Sequence, residues 1–194
     1  MSVPRIVLGS TSRYRAGLLR RIIDDFDQVA PDTDETPLPD ETPPGRAARL
    51  AEAKARAAAA NLHDALVIGS DQVAALGDTV LRKPGSIEIA REQLRASSGK
   101  NVDFFTGLCV FDTRSRHCRS ALDHTRVVFR ELTDAEIDRY LECERPLDCA
   151  GSFKSEAAGI TLFDRIESID PTALIGLPLI ALARLLREAG FALP

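Results

Sequence analysis

The chain has 194 residues, 44% of them hydrophobic and 28% charged, which is enough to bury a substantial core without staples and predicts one globular domain, 1–194, with two lobes. Its formal net charge of −4 argues against a broad nucleic-acid or membrane footprint while leaving room for a small basic pocket. Cys109, Cys118, Cys143 and Cys149 form no C-x-x-C pair and have no histidine at zinc spacing, so they read as free thiols in a reducing compartment, and His63, His117 and His124 make no metal motif. No basic stretch precedes a long apolar run near the N-terminus, so no signal peptide is expected. The late apolar stretch "TALIGLPLIALARLL" is interrupted by Gly176, Pro178 and Arg184 and is too short to span a bilayer. The expected location is the cytoplasm.

In chain order, "RIVLGS" (5–10) predicts a first strand. The spacing then turns helical over residues 10–26, with Leu18, Leu19, Ile22, Ile23 and Phe26 on one face and Ser10, Thr11 and Ser12 as cap candidates. A strand or loop carries "VAPDTDETP", a Pro-rich turn region runs from Pro37 to Pro44, and an Ala-rich helix follows over 45–62. "LVIGSDQVAAL" (66–76) predicts a buried strand, and the next stretch a hairpin turning at Gly77-Asp78. A helix over 87–99, two antiparallel strands around a turn near Ser115, and a short helix with a Thr133–Glu136 capping box come next. A terminal helix over 177–190 closes the chain. The irregular alternation predicts an α/β fold with a mixed sheet and helices packed on it.

Asp71 stands out, because a carboxylate in an apolar strand costs roughly 2–5 kcal/mol unless something pairs with it. In "LGSTSRYR", a strand end, hydroxyl residues and a helix start suit an anionic phosphate, with Arg13 and Arg15 adding charge. Taken alone, that stretch favours an ordinary capped helix with solvated arginines, since it matches neither Gly-rich phosphate signature. Lys54, Lys83 and Glu35 join Asp71 as candidates for a phosphate site with a divalent metal. "CAGSFKSEAAGITLF" (149–163), with Lys154 and Glu156, reads equally well as a ligand-facing loop or a generic one.

Together, "LGSTSRYRAGLLRR", "DETP", "RLAEAKA", "VIGSDQV", "RKPG", "FFTGL", "CAGSFKSEAAGITLF" and "GLPLIAL" occur in an order that resembles the Maf family of nucleoside triphosphate pyrophosphatases over nearly the whole chain. The "GSDQV" and "GSFKSE" forms resemble the branch acting on 7-methyl-GTP. The dTTP/UTP branch usually has Arg, Thr and Gln where this chain has Tyr14, Gln72 and Glu156. The 7-methyl-GTP branch carries Trp at the place of Tyr14, so an aromatic is kept.

The resemblance implies an elongated mixed sheet flanked by helices, with two lobes around a central cleft (Maf/ITPase-like), often as a homodimer. It implies hydrolysis between the α- and β-phosphates with a divalent cation such as Mg²⁺ or Mn²⁺. Asp71 carries over as the catalytic acid/base residue, and Ser10, Arg15, Glu35, Lys54 and Lys83 as supporting polar groups. Two roles for Asp71 stay open: holding the metal together with Glu35, or taking the proton itself. For base selection the resemblance points to Tyr14 as a face for the cationic ring, Glu156 as acceptor for guanine N–H groups, and Gln72 as donor to O6 or orienter of the base. The alternatives are a dTTP/UTP pyrophosphatase and a non-catalytic nucleotide-binding regulator of septum formation.

Overall fold

The computed structural model describes residues 4–193. Among them the strands are β1 (Arg5–Leu8), β2 (Asp27–Gln28), β3 (Ala65–Leu76), β4 (Thr79–Leu81), β5 (Asn101–Asp112), β6 (His117–Phe129) and β7 (Phe163–Glu167). The helices are α1 (Arg13–Leu19), α2 (Pro43–Ala58), α3 (Ile87–Ser97), α4 (Asp134–Glu144) and α5 (Leu179–Glu188). The strands form one sheet in the order β2-β1-β3-β5-β6-β7, with β4 paired to β3 off that path. Pairings of β1 with β2 and β3 are parallel, and those of β3 with β4 and β6 with β7 antiparallel, so the sheet is mixed, as expected for an α/β fold. No helix among the described residues is long and apolar enough to cross a membrane.

The chain divides into two compact units, with three of the four divisions falling within β3, β5 and β6 and the fourth between Ile169 and Asp170. The first comprises Met1–Gln72, Thr106–Asp123 and Asp170–Pro194. β1 and this unit's parts of β3 and β5 are largely apolar on both faces, as strands covered by helices on both sides must be. Ile6, Leu8, Leu66, Ile68, Leu108 and Val110 enter one core with Leu18 and Leu19 of α1 and Leu182, Leu185 and Leu186 of α5. The alternate residues Val7, Val67, Cys109 and Phe111 enter a second core with Ala55 and Ala58 of α2. The period-2 alternation of the strands thus sorts their residues between the two cores.

α2 rests almost directly on the strands. A Cβ built at Gly69 would collide with the Ala51 carbonyl and the Ala55 amide, and one at Gly107 with the Ala47 carbonyl. At Gly9, just past β1, the Ala58 methyl would lie 2.9 Å away. Glycine below and alanine above remove the side-chain layer that normally separates a helix from a sheet. Thr42 caps α2 by accepting from the Gly45 amide, and the prolines at its start lack only an N–H that has no helical partner.

α1 ends at Leu19, earlier than the apolar spacing over 10–26 predicts. Ile22 and Phe26 still pack against the same core from the turns that follow, so the spacing outlasts the helix. α2 begins at Pro43 and ends at Ala58, shifted toward the N-terminus from the expected 45–62.

The second unit comprises Val73–Phe105 and His124–Ile169. Its hairpin turns at Gly77-Asp78 as predicted, with Leu76 opposite Thr79. The Thr133–Glu136 capping box of α4 is present in both directions. Phe104, Phe129, Phe153 and Phe163 pack edge-to-face with ring centroids 4.7–5.7 Å apart.

Gly69→Ala is expected to destabilise the fold by about 1–3 kcal/mol or more, because backbone and not a flexible side chain blocks the new methyl. Gly17→Ala, whose Cβ would meet nothing within 4 Å, is expected to be neutral or to stabilise by up to ~1 kcal/mol. Urea denaturation of both variants checks the contrast.

Candidate active site

Asp71 lies on β3 and Lys54 on α2, both buried, at 7% and 8% exposure. The Lys54 Nζ donates to Asp71 Oδ1 at 2.6 Å and pairs with Glu35 Oε1 at 2.6 Å. One ammonium therefore serves two carboxylates, one buried and one whose side chain is half exposed. The buried acid that the sequence singled out is answered by a buried base, with the close seating of α2 setting the reach between them.

Glu35 sits in the loop after β2, and α2 holds that loop. Arg46 donates to the Glu35 carbonyl at 3.0 Å and Arg49 to the Thr36 carbonyl at 3.3 Å. Arg49 also makes a two-pronged pair with Glu41, at 2.5 and 2.9 Å, while Glu41 Oε2 accepts from the Leu38 amide. Sequence reasoning missed Arg46, Arg49 and Glu41. Their signal was an acidic loop preceding a helix with arginines three residues apart, a pattern common on solvated faces.

Arg15, on α1, points into the same cluster. Its Nε donates to the Gly176 carbonyl at 2.9 Å and its Nη1 to Ser10 Oγ at 3.4 Å. Burial pushes its guanidinium below the ordinary arginine value, against the opposing pull of the Asp71 and Glu35 charges. Ser10 Oγ also accepts from the Ser12 amide, and Gln28, another residue not singled out beforehand, donates to the Ser10 carbonyl at 3.0 Å. Ser12 is the cap of α1, accepting from the Arg15 amide.

Ser10, Arg15, Glu35, Lys54 and Asp71 all belong to the first unit, as do the specificity candidates Tyr14 and Gln72. The Gln72 Nε2 donates to the Ala173 and Leu174 carbonyls, at 2.9 and 3.1 Å, and to Thr106 Oγ1 at 3.1 Å. Its amide hydrogens face the protein's own acceptors, which leaves Oε1 as the atom a base could reach without rearrangement. The Tyr14 ring carries the Arg13 guanidinium at 4.8 Å from its centroid, and the Tyr14 hydroxyl accepts from Arg13 at 2.8 Å. That ring already holds a cation, the property sought for a methylated base.

Lys83 and Glu156 belong to the second unit, and both are exposed. Lys83 follows β4, ahead of a turn in which the Gly85 amide donates to the Leu147 carbonyl. Ser155 donates to Glu156 at 3.5 Å. Lys154 instead ties its loop to α4: its Nζ donates to the Glu144 carbonyl at 2.8 Å and its amide to the Tyr140 hydroxyl at 3.0 Å.

The donor set bears on a metal. A hard divalent cation such as Mg²⁺ takes one or two protein carboxylates and completes its shell with phosphate and water. Asp71 and Glu35, converging on one point, match that requirement. Among the described residues no group of three or more His, Cys, Asp or Glu is placed to hold a metal by itself.

A family model described as "Maf-like protein" matches residues 5–189. A protein of Burkholderia pseudomallei (strain 1710b) named "7-methyl-GTP pyrophosphatase" is 56% identical over 99% of this chain and 91% of its own. Proteins of the same name from Aromatoleum aromaticum and Nitrosococcus oceani are 55% and 52% identical, covering 100% and 97% of this chain and 100% and 94% of their own.

The Glu41–Arg49 pair makes a pH prediction. Its hydrogen bonds push the Glu41 carboxyl down to about 2, below the ordinary glutamate value near ~4.3 that the unfolded chain keeps. A depressed folded value means that the pair's contribution is fully present above the unfolded value and is lost as pH falls through the folded one. The stability difference between the wild type and Glu41→Gln is expected to hold level from pH 8 to 5 (~3 units) and to shrink between about 4.5 and 2. Thermal denaturation across that range measures it.

Proposed function

The chain belongs to the family of Maf-like proteins, and on that premise we propose that it is a nucleoside triphosphate pyrophosphatase whose substrate is 7-methyl-GTP. Water attacks phosphorus, the anhydride bond between the α- and β-phosphates breaks, and nucleoside monophosphate and pyrophosphate leave. The observation that carries this reading is the cluster in which Lys54 bridges Asp71 and Glu35 while Arg15 stands in their field. Two cations suited to phosphate oxygens lie beside two carboxylates suited to a proton or a divalent cation.

Lys54 has the central part. Its ammonium is a mobile point charge on a flexible stem, able to pass from carboxylate to phosphate oxygens when a polyanion arrives. That transfer releases Asp71 to accept the proton of the attacking water or to bind metal. A divalent cation held by Asp71 and Glu35 would supply neutralisation of the phosphate charge. Arg15, unlike a lysine, keeps its charge and presents a planar fork to phosphate.

For the base, Tyr14 offers an aromatic face that favours a cationic ring, and Glu156 an acceptor that favours both guanine N–H groups and positive charge. The Gln72 carbonyl end orients the base. Lys83 is a further supporting charge by its place in the family motif. The same reading takes a nucleotide and a divalent cation as ligands, the cytoplasm as location and a homodimer as assembly. The net charge of −4 supports a function without nucleic acid.

A panel of nucleoside triphosphates including 7-methyl-GTP, GTP, dTTP and UTP, assayed with Mg²⁺ or Mn²⁺ for pyrophosphate release, tests the assignment. Preference for 7-methyl-GTP is expected; preference for dTTP or UTP moves the chain to the other branch, and no release from any nucleotide ends the enzyme reading. Asp71→Asn is expected to cut turnover by about a hundredfold or more while the circular dichroism spectrum is retained. Glu156→Gln and Tyr14→Ala are expected to weaken 7-methyl-GTP hydrolysis more than dTTP hydrolysis; equal losses on all nucleotides would make them general supports of the site.

A further inference from the structure

Side chains from α1, β3 and β5 converge on a single short segment of the first unit. Arg15 Nε and Ser70 Oγ both donate to the Gly176 carbonyl, at 2.9 and 3.0 Å. Thr106 Oγ1 donates to the Ala173 carbonyl at 3.1 Å, and Gln72 Nε2 serves the Ala173 and Leu174 carbonyls. The Gly176 amide donates back to the Ala173 carbonyl at 2.9 Å, closing a tight turn between the two anchor points. Gly176 adopts φ +121, a conformation side chains rarely take.

The ends of the segment are secured independently. Asp170, 2% exposed, accepts from the Thr172 amide at 3.0 Å and from the Ile180 amide at 2.7 Å. Thr172 Oγ1 lies within hydrogen-bond distance of the Leu177 carbonyl and accepts from the Leu179 amide, both at 2.8 Å. Ser70 and Thr106 are both 0% exposed. Buried hydroxyls must be satisfied: Thr106 is satisfied by the segment that orients Arg15, while Ser70 shares its one proton between the Gly176 carbonyl and the Gly107 carbonyl of β5, at 2.8 Å.

A guanidinium is a rigid fork, so fixing its Nε fixes the direction of its remaining donors. The Gly176 carbonyl holds Nε of Arg15 and Ser10 holds Nη1, which aims the free edge of the fork. We propose that the turn from Ala173 to Gly176 is the positioning device for Arg15, and that Thr106, which touches neither Arg15 nor substrate, is a positioning residue for phosphate binding acting through it. The proposal rests on the reading of Arg15 as a phosphate ligand.

A double-mutant cycle tests it. Thr106→Val keeps the shape and removes the hydroxyl; Thr106→Ser keeps the hydroxyl. Each is made in the wild type and in Arg15→Ala, and kcat and KM are measured with the triphosphate that the wild type hydrolyses fastest. Thr106→Val removes the bond to the Ala173 carbonyl and one of the three acceptors around Gln72 Nε2, which keeps the Ala173 and Leu174 carbonyls; it is expected to lower kcat/KM about threefold to tenfold in the wild type, with most of the change in KM. Thr106→Ser is expected to stay within about twofold, and Thr106→Val to add less than about twofold in the Arg15→Ala background. Equal losses in both backgrounds, or no loss in the wild type, overturn the positioning role while leaving Arg15 in place. An Arg15→Ala protein with unchanged KM instead removes the phosphate reading of Arg15, and the proposal with it. Should Thr106→Val fail to fold, Ser70→Ala, which removes the hydroxyl on the Gly176 carbonyl itself, carries the same cycle with the same expected and overturning results.

Discussion

The whole first unit depends on one close approach, that of the α2 backbone to the glycines of the strands beneath it. Gly69 and Gly107 admit no Cβ under Ala51 and Ala47, so the helix lies nearer the sheet than any layer of larger side chains would allow. Lys54 is buried for the same reason, and its Nζ reaches Asp71 on the strand below. From the same helix, Arg46 and Arg49 reach out to the backbone beside Glu35. The cluster of charges is therefore a consequence of helix seating, and the residues that decide the seating carry no charge at all.

The Lys54–Asp71 pair is a poor device for stability. Removing two ions from water costs several kcal/mol each, and apolar residues of similar size often do as well or better in such places. A chain under selection for stability alone would have little reason to keep it. The arrangement makes sense when the ammonium has a second partner to move to, which is the property a phosphate site requires.

Much of the fold was legible because its signals are local. The Gly77-Asp78 turn, the Thr133–Glu136 box and the buried apolar run of β3 are each written within a few residues. The end of α1 was not, because Ile22 and Phe26 keep helical spacing while packing from turns. Asp71, Lys54 and Glu35 were found as separate candidates, yet their convergence on one ammonium is a tertiary fact. The bonds of Gln72 and Thr106 to Ala173 join residues far apart in the chain, and no local pattern announces them. The glycines under α2 were hidden in the same way, since what they accommodate is another element's backbone.

The four charged groups of the cluster, Asp71, Glu35, Lys54 and Arg15, sum formally to zero. From a distance the site is electrically quiet, and it sits on a chain whose net charge is −4. Before a divalent cation is bound, such a site does not draw a polyanion in by its field. On the proposed reading, capture is an exchange of partners made at contact, in which phosphate oxygens replace carboxylates around cations already in place. Encounter is then governed by diffusion and orientation, and added salt does not slow it as it slows proteins that attract anions with an exposed basic surface.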